Sequence, residues 1–422
     1  MAFIIDSQRS SPEPHSFPLR TMSALTLIVL SILVSEATAQ ETNLWDDRKV
    51  TLEAEGKYTP VVVAVWDTGV DIEIFERRNV WTNPKEHSTG TDSDGNGYID
   101  DLHGIAFDVN EDRNSKLLMP LLEGLDDAEM KSLAKEAKGN RDIVFGIVSD
   151  ESKQVFRSSF SSRREDAAKI ARHLIWHGEF SHGTSMAKIC VDGNPFAQIL
   201  TIRQQFSHRP PAPSVAVYQK RAIAYSEAIK YMKTNSVRVA NLSWSRWPSL
   251  LYKALVEHNV GESEEERIAL AKQLFEIEKK SLQLAIQSAP EILFVTSAGN
   301  TGNGKSNAIP QAFELPNVIS VGAADSNGDP IATNKRAVLD VSANGYKVKS
   351  KLPGGSDVYT MGTSVSAAQV TNLAAKILAV NNALEPTELK RLIVETSTLN
   401  GSVRLTHAKN AVAAAKNRRS KK

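Results

Sequence analysis

Short runs of β-branched and other apolar residues recur along this chain. They alternate with stretches in which apolar residues return every three to four positions. The runs Val61–Trp66, Ile199–Arg203, Val237–Leu242, Ile292–Thr296 and Val318–Val321 are apolar at most positions, which predicts strands buried on both faces. Before the third run, Ala222, Tyr225, Ile229 and Met232 fall on one helical face. A long run of small residues after Gly362 predicts a helix to about Val380, and Pro386 suits the first turn of another. Strands alternating with helices in this way predict an α/β fold, a mostly parallel sheet with helices on both faces.

Two segments interrupt the alternation. Residues 110–180 hold a helix predicted from Asp126 to Lys138 and stopped by Gly139. Residues 246–280 carry Ser263 and Glu266 at capping-box spacing, with Glu264 to Glu266 at the positive end of the helix they start. Both segments are charged and read as surface-lying helical insertions into one domain spanning 40–416. Ahead of it, Arg20 precedes the apolar run Ala24–Val34 and then the small-x-small pattern Ala37-Thr38-Ala39, which reads as an export leader over residues 1–39. Cleavage after Ala39 predicts a secreted or periplasmic protein. The polar stretch before Arg20 is long for a signal, so a start at Met22 and an uncleaved anchor both stay open. The apolar run is short for a membrane span, and no stable span is expected once the leader is removed. Residues 417–422 end the chain as a basic, solvated tail.

The 422 residues are 41% hydrophobic and 23% charged, enough for one large core. A formal net charge of +1 offers no bulk attraction for nucleic acid or an anionic membrane. Cys190 is the only cysteine, so no intrachain disulfide forms, and its small apolar neighbours predict a buried thiol.

Four short strings bring chemistry. Asp67 follows an apolar strand, where active groups of open α/β sheets gather, and Gly69 allows the turn after it. His182 opens the string Gly183-Thr184-Ser185 and reads as a histidine at a helix start. Asn300 ends Ser297-Ala298-Gly299-Asn300 directly after a strand, and Ser364 lies between Gly362-Thr363 and the small-residue helix. Taken singly, each has an ordinary explanation as a turn, cap or packed residue. Together they supply a nucleophile, its base, the base's orienter and an oxyanion donor in an order the triad uses. His173 and His177 are also four apart, but Leu174 stands where a zinc protease carries Glu and no third ligand is evident, so they read as solvent-facing or cleft-rim residues.

These strings resemble the Asp, HGTxxA, oxyanion-Asn and GTS motifs of the subtilisin-like serine proteases, the subtilases, over about Val61 to Ser397. The resemblance implies a subtilisin-like fold and a serine endopeptidase with Asp67, His182 and Ser364 as triad and Asn300 in the oxyanion hole. It also implies a protein or peptide substrate bound as an extended strand. Ser243, Trp244 and Ser245 would form one wall of the primary specificity pocket and Ser297, Ala298 and Gly299 the other. Ser245 stands where the family usually has Gly, Ala368 where it has Pro, and Lys188 where it has Gly; few residues separate Ala39 from Val61, where many secreted members carry a folding pro-segment. These departures keep a second reading open, a catalytically weak scaffold that binds peptides. A third, an esterase or an acyl transferase to an acceptor other than water, uses the same residues.

The run Asp92-Ser93-Asp94-Gly95-Asn96-Gly97-Tyr98-Ile99-Asp100-Asp101 alternates oxygen ligands and resembles the first half of a calcium loop; a similar string occurs in some bacterial subtilases. Asp92, Asp94, Asn96, Asp100 and the Tyr98 carbonyl are the expected ligands of a structural Ca2+. Position twelve is His103 instead of Glu, so the loop is not a full EF-hand.

Overall fold

The structure is a computed structural model that describes residues 43–120, 125–159, 164–204, 211–300, 308–332 and 339–419. The expected leader and residues 420–422 lie outside the described residues. Along the chain the strands are β1 (Val61–Asp67), β2 (Gly104–Phe107), β3 (Arg113–Asn114), β4 (Ala197–Gln204), β5 (Val237–Leu242), β6 (Leu293–Ser297), β7 (Val318–Ala324), β8 (Pro330–Ala332), β9 (Val341–Asn344), β10 (Val348–Lys351), β11 (Asp357–Thr360), β12 (Thr398–Asn400) and β13 (Val403–Leu405). The helices are α1 (Asp127–Val144), α2 (Asp150–Ser159), α3 (Arg164–Cys190), α4 (Val215–Thr234), α5 (Pro248–Glu257), α6 (Glu264–Gln287), α7 (Thr363–Val380), α8 (Pro386–Glu395) and α9 (Ala408–Arg419).

The main sheet runs β12-β13-β9-β7-β6-β5-β1-β4-β2-β3, with β8 beside β7. From β9 to β2 every neighbouring pair is parallel, so the five strands read from the sequence form the sheet's centre. Successive side chains of β1 point to opposite faces, as strand geometry demands. Val61, Val63 and Val65 enter one core with Met186 and Ile189 of α3 and Leu373, Ala374 and Ile377 of α7. Ala64 and Trp66 enter the other with Tyr225 and Met232 of α4 and Leu274 and Leu282 of α6. From β1 the chain passes out to β2, returns to β4 on one side of β1 and then crosses to β5 on the other, a reversal that opens a crevice at the carboxyl end of β1. Helix α7 lies beneath that crevice. Every residue of it except Ser364 and Gln369 is buried, which is why its sequence is small and apolar all round.

Several local expectations are corrected. Helix α1 runs through Gly139 to Val144, and that glycine marks where α2 crosses, since a Cβ there would lie 2.5 Å from the Glu151 carbonyl oxygen. Asp126 and Glu129 close a reciprocal capping box that sequence reading passed over. Ser263 accepts the Glu266 N–H, but the Glu266 carboxylate turns to the Glu262 N–H, so that box is only half formed. The segments 110–180 and 246–280 are not confined to the surface. Met119, Met130, Leu133, Trp176 and Phe180 form a small core of their own, while α6 connects β5 to β6 and buries Leu274, Phe275 and Leu282 in the second core. Lys416 to Arg419 are the last turn of α9, not part of a loose tail.

Candidate active site

Asp67 is the last residue of β1, buried to 1% exposure. Its Oδ1 accepts a 2.8 Å hydrogen bond from the Thr68 N–H and lies 2.7 Å from His182 Nδ1. An imidazole facing a carboxylate through Nδ1 carries its proton there, which leaves Nε2 as the basic nitrogen. His182 does not start a helix. The residues of the first insertion continue without a breaker strong enough to end the turn, and His182 stands deep within the 27-residue α3. No helix N-terminus therefore aims it; hydrogen bonds and close packing do. The Thr68 hydroxyl accepts the Gly183 N–H at 3.1 Å. A Cβ on Gly183 would lie 2.3 Å from the Gly69 carbonyl oxygen, so only glycine lets α3 press against the turn after Asp67. Thr184 fixes the same turn by accepting the Asp71 N–H at 2.9 Å.

Ser364 is the second residue of α7. Its backbone N–H is one of those at a helix start without an intrahelical partner. Its hydroxyl donates to the Ser243 carbonyl at 2.9 Å, while the Ser243 hydroxyl donates to the Ser364 carbonyl at 2.9 Å. Asn300 approaches from the end of β6. Its Oδ1 accepts from both the N–H and the hydroxyl of Thr363, each at 3.0 Å, which fixes the amide orientation and turns Nδ2 away as a donor. Gly362 has φ 126°, and a Cβ on it would stand 3.3 Å from Asn300 Oδ1, so glycine keeps this approach open. The Thr363 hydroxyl also accepts the Gly299 N–H at 3.1 Å. Thr363 thus ties Asn300, Gly299 and Ser364 into one rigid corner. Sequence reading missed this role, and the missed role of Thr68, although both stand next to residues it singled out.

His182, Asn300 and Ser364 line one cleft with Arg141 and Val144 of α1 and with Phe145, which caps that helix. The structure brings His182 to Asp67 and opens Ser364 into the same cleft, with the serine hydroxyl turned to Ser243 instead of the imidazole.

The two expected pocket walls also face each other. Ser245 Oγ lies 3.9 Å from where a Gly299 Cβ would stand, and it accepts a 3.1 Å bond from Gln311 Nε2. Gln311, absent from the sequence reading, narrows the space between the walls. Trp244 donates its indole N–H to the Trp66 carbonyl and stacks on Tyr225. Behind this wall a buried network runs from Trp66 through Gln204 and Glu111 to Arg221, Glu278 and Tyr225. Ser297 and Ala298 are buried at the end of β6.

Lys188 pairs with Asp192 one turn along and stays clear of the cleft. Ala368 is fully buried in α7. Cys190 is buried, and burial pushes its thiol up. His177 is neither solvent-facing nor at a rim. It is 1% exposed against Phe180, because the first insertion covers this face of α3. Burial and then the nearby Arg141 push its pKa down to about 4. The unfolded chain takes up a proton at His177 near the ordinary value of about 6.5 and the folded chain does not, so stability is complete above that value and falls as pH drops toward 4. The loss attributable to this residue at pH 5 is on the order of 2 kcal/mol. Melting temperatures at pH 7 and 5 check it: His177→Phe is expected to flatten the decline, and equal slopes would refute it.

In the acidic loop, ligand atoms of Glu86, Asp92 and Asp94 lie within 4.8 Å of one another. Glu86 was not among the residues expected there. Asp92 accepts the N–H groups of Gly95, Asn96 and Gly97; Asn96 Oδ1 accepts the Tyr98 N–H; and Asp100 turns to the N–H groups of Thr89 and Gly90. The loop is fastened to the body through Tyr98, whose hydroxyl donates to Glu227 and whose ring lies under the Arg113 guanidinium.

Fold and site together define a subtilase. The chain belongs to the Subtilase family, whose profile matches residues 59–418. It is 33% identical to subtilisin DY of Bacillus licheniformis over 112 residues, 26% of this chain and 41% of that one. To subtilisin Savinase of Lederbergia lenta it is 30% identical over 128 residues, 30% of this chain and 46% of that one. The chain thus spans less than half the length of these curated relatives. Its fold is similar to a solved structure from the assembly of the subtilase cytotoxin SubAB, with TM-score 0.50 and 15% identity over 89% of this chain and 96% of that one.

Proposed function

We propose that this protein is an exported serine endopeptidase that hydrolyses peptide bonds through Ser364, His182 and Asp67. The observation that carries the reading is the 2.7 Å contact of His182 Nδ1 with the buried Asp67 carboxylate beside a cleft into which Ser364 opens. Ser364 Oγ attacks the scissile carbonyl and passes its proton to His182 Nε2. Asp67 holds the tautomer and stabilises the imidazolium. The Ser364 N–H and Asn300 Nδ2 receive the oxyanion, His182 returns a proton to the leaving amine, and water then releases the acyl group. The serine hydroxyl reaches the imidazole by a rotamer change that gives up its bond to Ser243, a loss of about 1 kcal/mol. Apo sites commonly hold this contact open until substrate arrives.

The same hydroxyl orientation favours the second reading, a peptide-binding scaffold of weak activity. A fluorophosphonate probe separates the two: labelling at Ser364 supports the enzyme, and folded protein that stays unlabelled supports the scaffold. Substrate identity follows from digestion of a diverse peptide library, with an ester panel beside it for the acyl-transfer alternative.

Export rests on the apolar run before Ala39. Among the described residues no helix is long and apolar enough to cross a membrane. The reading keeps one catalytic domain over 40–416 after the leader. It also includes a structural calcium ion in the acidic loop, held by Asp92 and Asp94 with Glu86 beside them and with Asn96, Asp100 and the Tyr98 carbonyl as the further expected ligands. The fit is in the donor set: hard carboxylate oxygens drawn together, with the Gly97 N–H holding the Asp92 carboxyl below the usual range and thus charged. Calcium at 100 times its Kd is expected to stabilise the fold by about 2.7 kcal/mol and raise Tm. A chelator that leaves Tm unmoved removes calcium from the reading, and Asp92→Asn is expected to abolish the response.

A further inference from the structure

Helix α1 carries one cation into the cleft. Arg141 sits in its last turn, lines the space shared by His182 and Ser364, and donates from Nη2 to the Ser181 hydroxyl at 3.1 Å. Among the described residues its Nη1 is buried without a hydrogen-bond partner, and Arg141 has no ion pair. The nearest acidic neighbour on its own helix, Asp142, is already taken by Lys138 and the Ser149 hydroxyl. His177 senses Arg141 and is held neutral at pH 7 by burial and by this cation. Burial drives the guanidinium itself down to about 10, so it is still charged at neutral pH. The negative end of α1 offsets only part of that charge. A buried, half-satisfied guanidinium is costly unless an anion completes it, and planar carboxylates fit its fork.

The side of the cleft matters. The part of the substrate that becomes the acyl-enzyme belongs, on the reading above, between Ser245 and Gly299. None of Ser243–Ser245 or Ser297–Gly299 lines the space in front of Arg141; its other wall is Tyr359, Thr360 and Met361, the approach to Ser364. Phe145 closes its end against Tyr359 and Tyr346. This is the leaving-group side. We propose that Arg141 forms a carboxylate-binding subsite for the part of the peptide released as the amine product, so that the enzyme selects cleavage sites with a carboxylate shortly after the scissile bond. The inference rests on the protease reading for its orientation. The carboxylate is either an acidic side chain or the peptide's own C-terminus.

Three quenched-fluorescence peptides of one sequence test this. One is neutral and C-terminally amidated, one carries Glu in place of a Gln after the cut and is amidated, and one is neutral with a free C-terminus. The readout is the ratio of kcat/KM between each carboxylate peptide and the neutral one, a ratio insensitive to the fraction of protein that is folded. Wild type is expected to favour at least one carboxylate peptide by about 10- to 100-fold, the range of a charge-assisted hydrogen bond, and the favoured peptide names the source. Arg141→Gln is expected to bring the ratio near one, and Arg141→Lys to restore part of it. A wild-type ratio near one for both peptides overturns the proposal, as does a preference that survives Arg141→Gln. If wild type cuts none of the three, equilibrium binding of the same peptides to it decides. A carboxylate preference lost in Arg141→Gln then leaves the subsite standing while the protease reading falls, and equal binding sinks both. Cleavage without preference sinks the subsite alone.

Discussion

Ser364→Ala is expected to lower kcat on the order of 10⁶-fold and to abolish fluorophosphonate labelling, the magnitude being that of the corresponding change in subtilisin, a relative of this chain. The fold should tolerate the change. Ser364 contributes one neutral hydrogen bond to the Ser243 carbonyl, worth about 1 kcal/mol, and its side chain is one of only two in α7 that are not buried. Loss of activity with a melting temperature lowered by no more than about 2–4 °C is therefore the expected pair of results. The decisive control is the double variant. If the serine and the imidazole act as one unit, Ser364→Ala combined with His182→Ala falls no further than either alone. Additive losses would mean that the two groups work on separate steps, which the triad reading does not allow. A wild-type protein with no turnover to lose favours the peptide-binding scaffold.

The sequence made legible what depends on local pattern. Apolar runs marked the central strands because parallel strands covered on both faces leave no polar alternation to obscure them. The small residues after Gly362 marked α7 because a helix packed on every side tolerates little bulk. The strings around Asp67, His182, Asn300 and Ser364 were readable because each combines a candidate functional residue with a glycine or threonine that its backbone contacts require. What escaped was set by long-range packing. Nothing local distinguishes a histidine that starts a helix from one inside α3, since the difference lies in the residues from Arg164 to Ser181 that extend the helix ahead of it. His177 and Arg141 could not be placed, because only the docking of α1 over α3 buries them. Gln311 escaped for the same reason. Its contact with Ser245 crosses 66 residues, and a lone Gln carries no pattern.

On the proposed mechanism, the long α3 also changes how the base is held. Within α3 no helix terminus faces the imidazole, and its orientation falls to Asp67, Thr68 and Gly183. The burden on Asp67 is correspondingly large.

Asp67→Asn should expose that burden. The substitution keeps the shape of the side chain and removes its charge. Asp67 Oδ1 accepts from both Thr68 N–H and His182 Nδ1, while Oδ2 is buried with no hydrogen-bond partner among the described residues. In the variant, an amide whose oxygen stays at the Oδ1 position buries an unpartnered NH2 in place of Oδ2. An amide flipped the other way sets its NH2 against the Thr68 N–H and forces the proton of His182 onto Nε2, the atom that must receive the serine proton. Either way the imidazolium formed during attack loses its counter-charge in a desolvated site. A fall in kcat of about 10⁴ is expected, the size found for the equivalent change in an unrelated serine protease with the same triad. KM should move little, because Asp67 does not reach the cleft surface. The pH profile discriminates further: activity of the variant should recover in part at high pH, where hydroxide in solution can take the serine proton without the imidazole. A loss of tenfold or less would show that His182 is oriented without Asp67, and the 2.7 Å contact would then be structural and not catalytic.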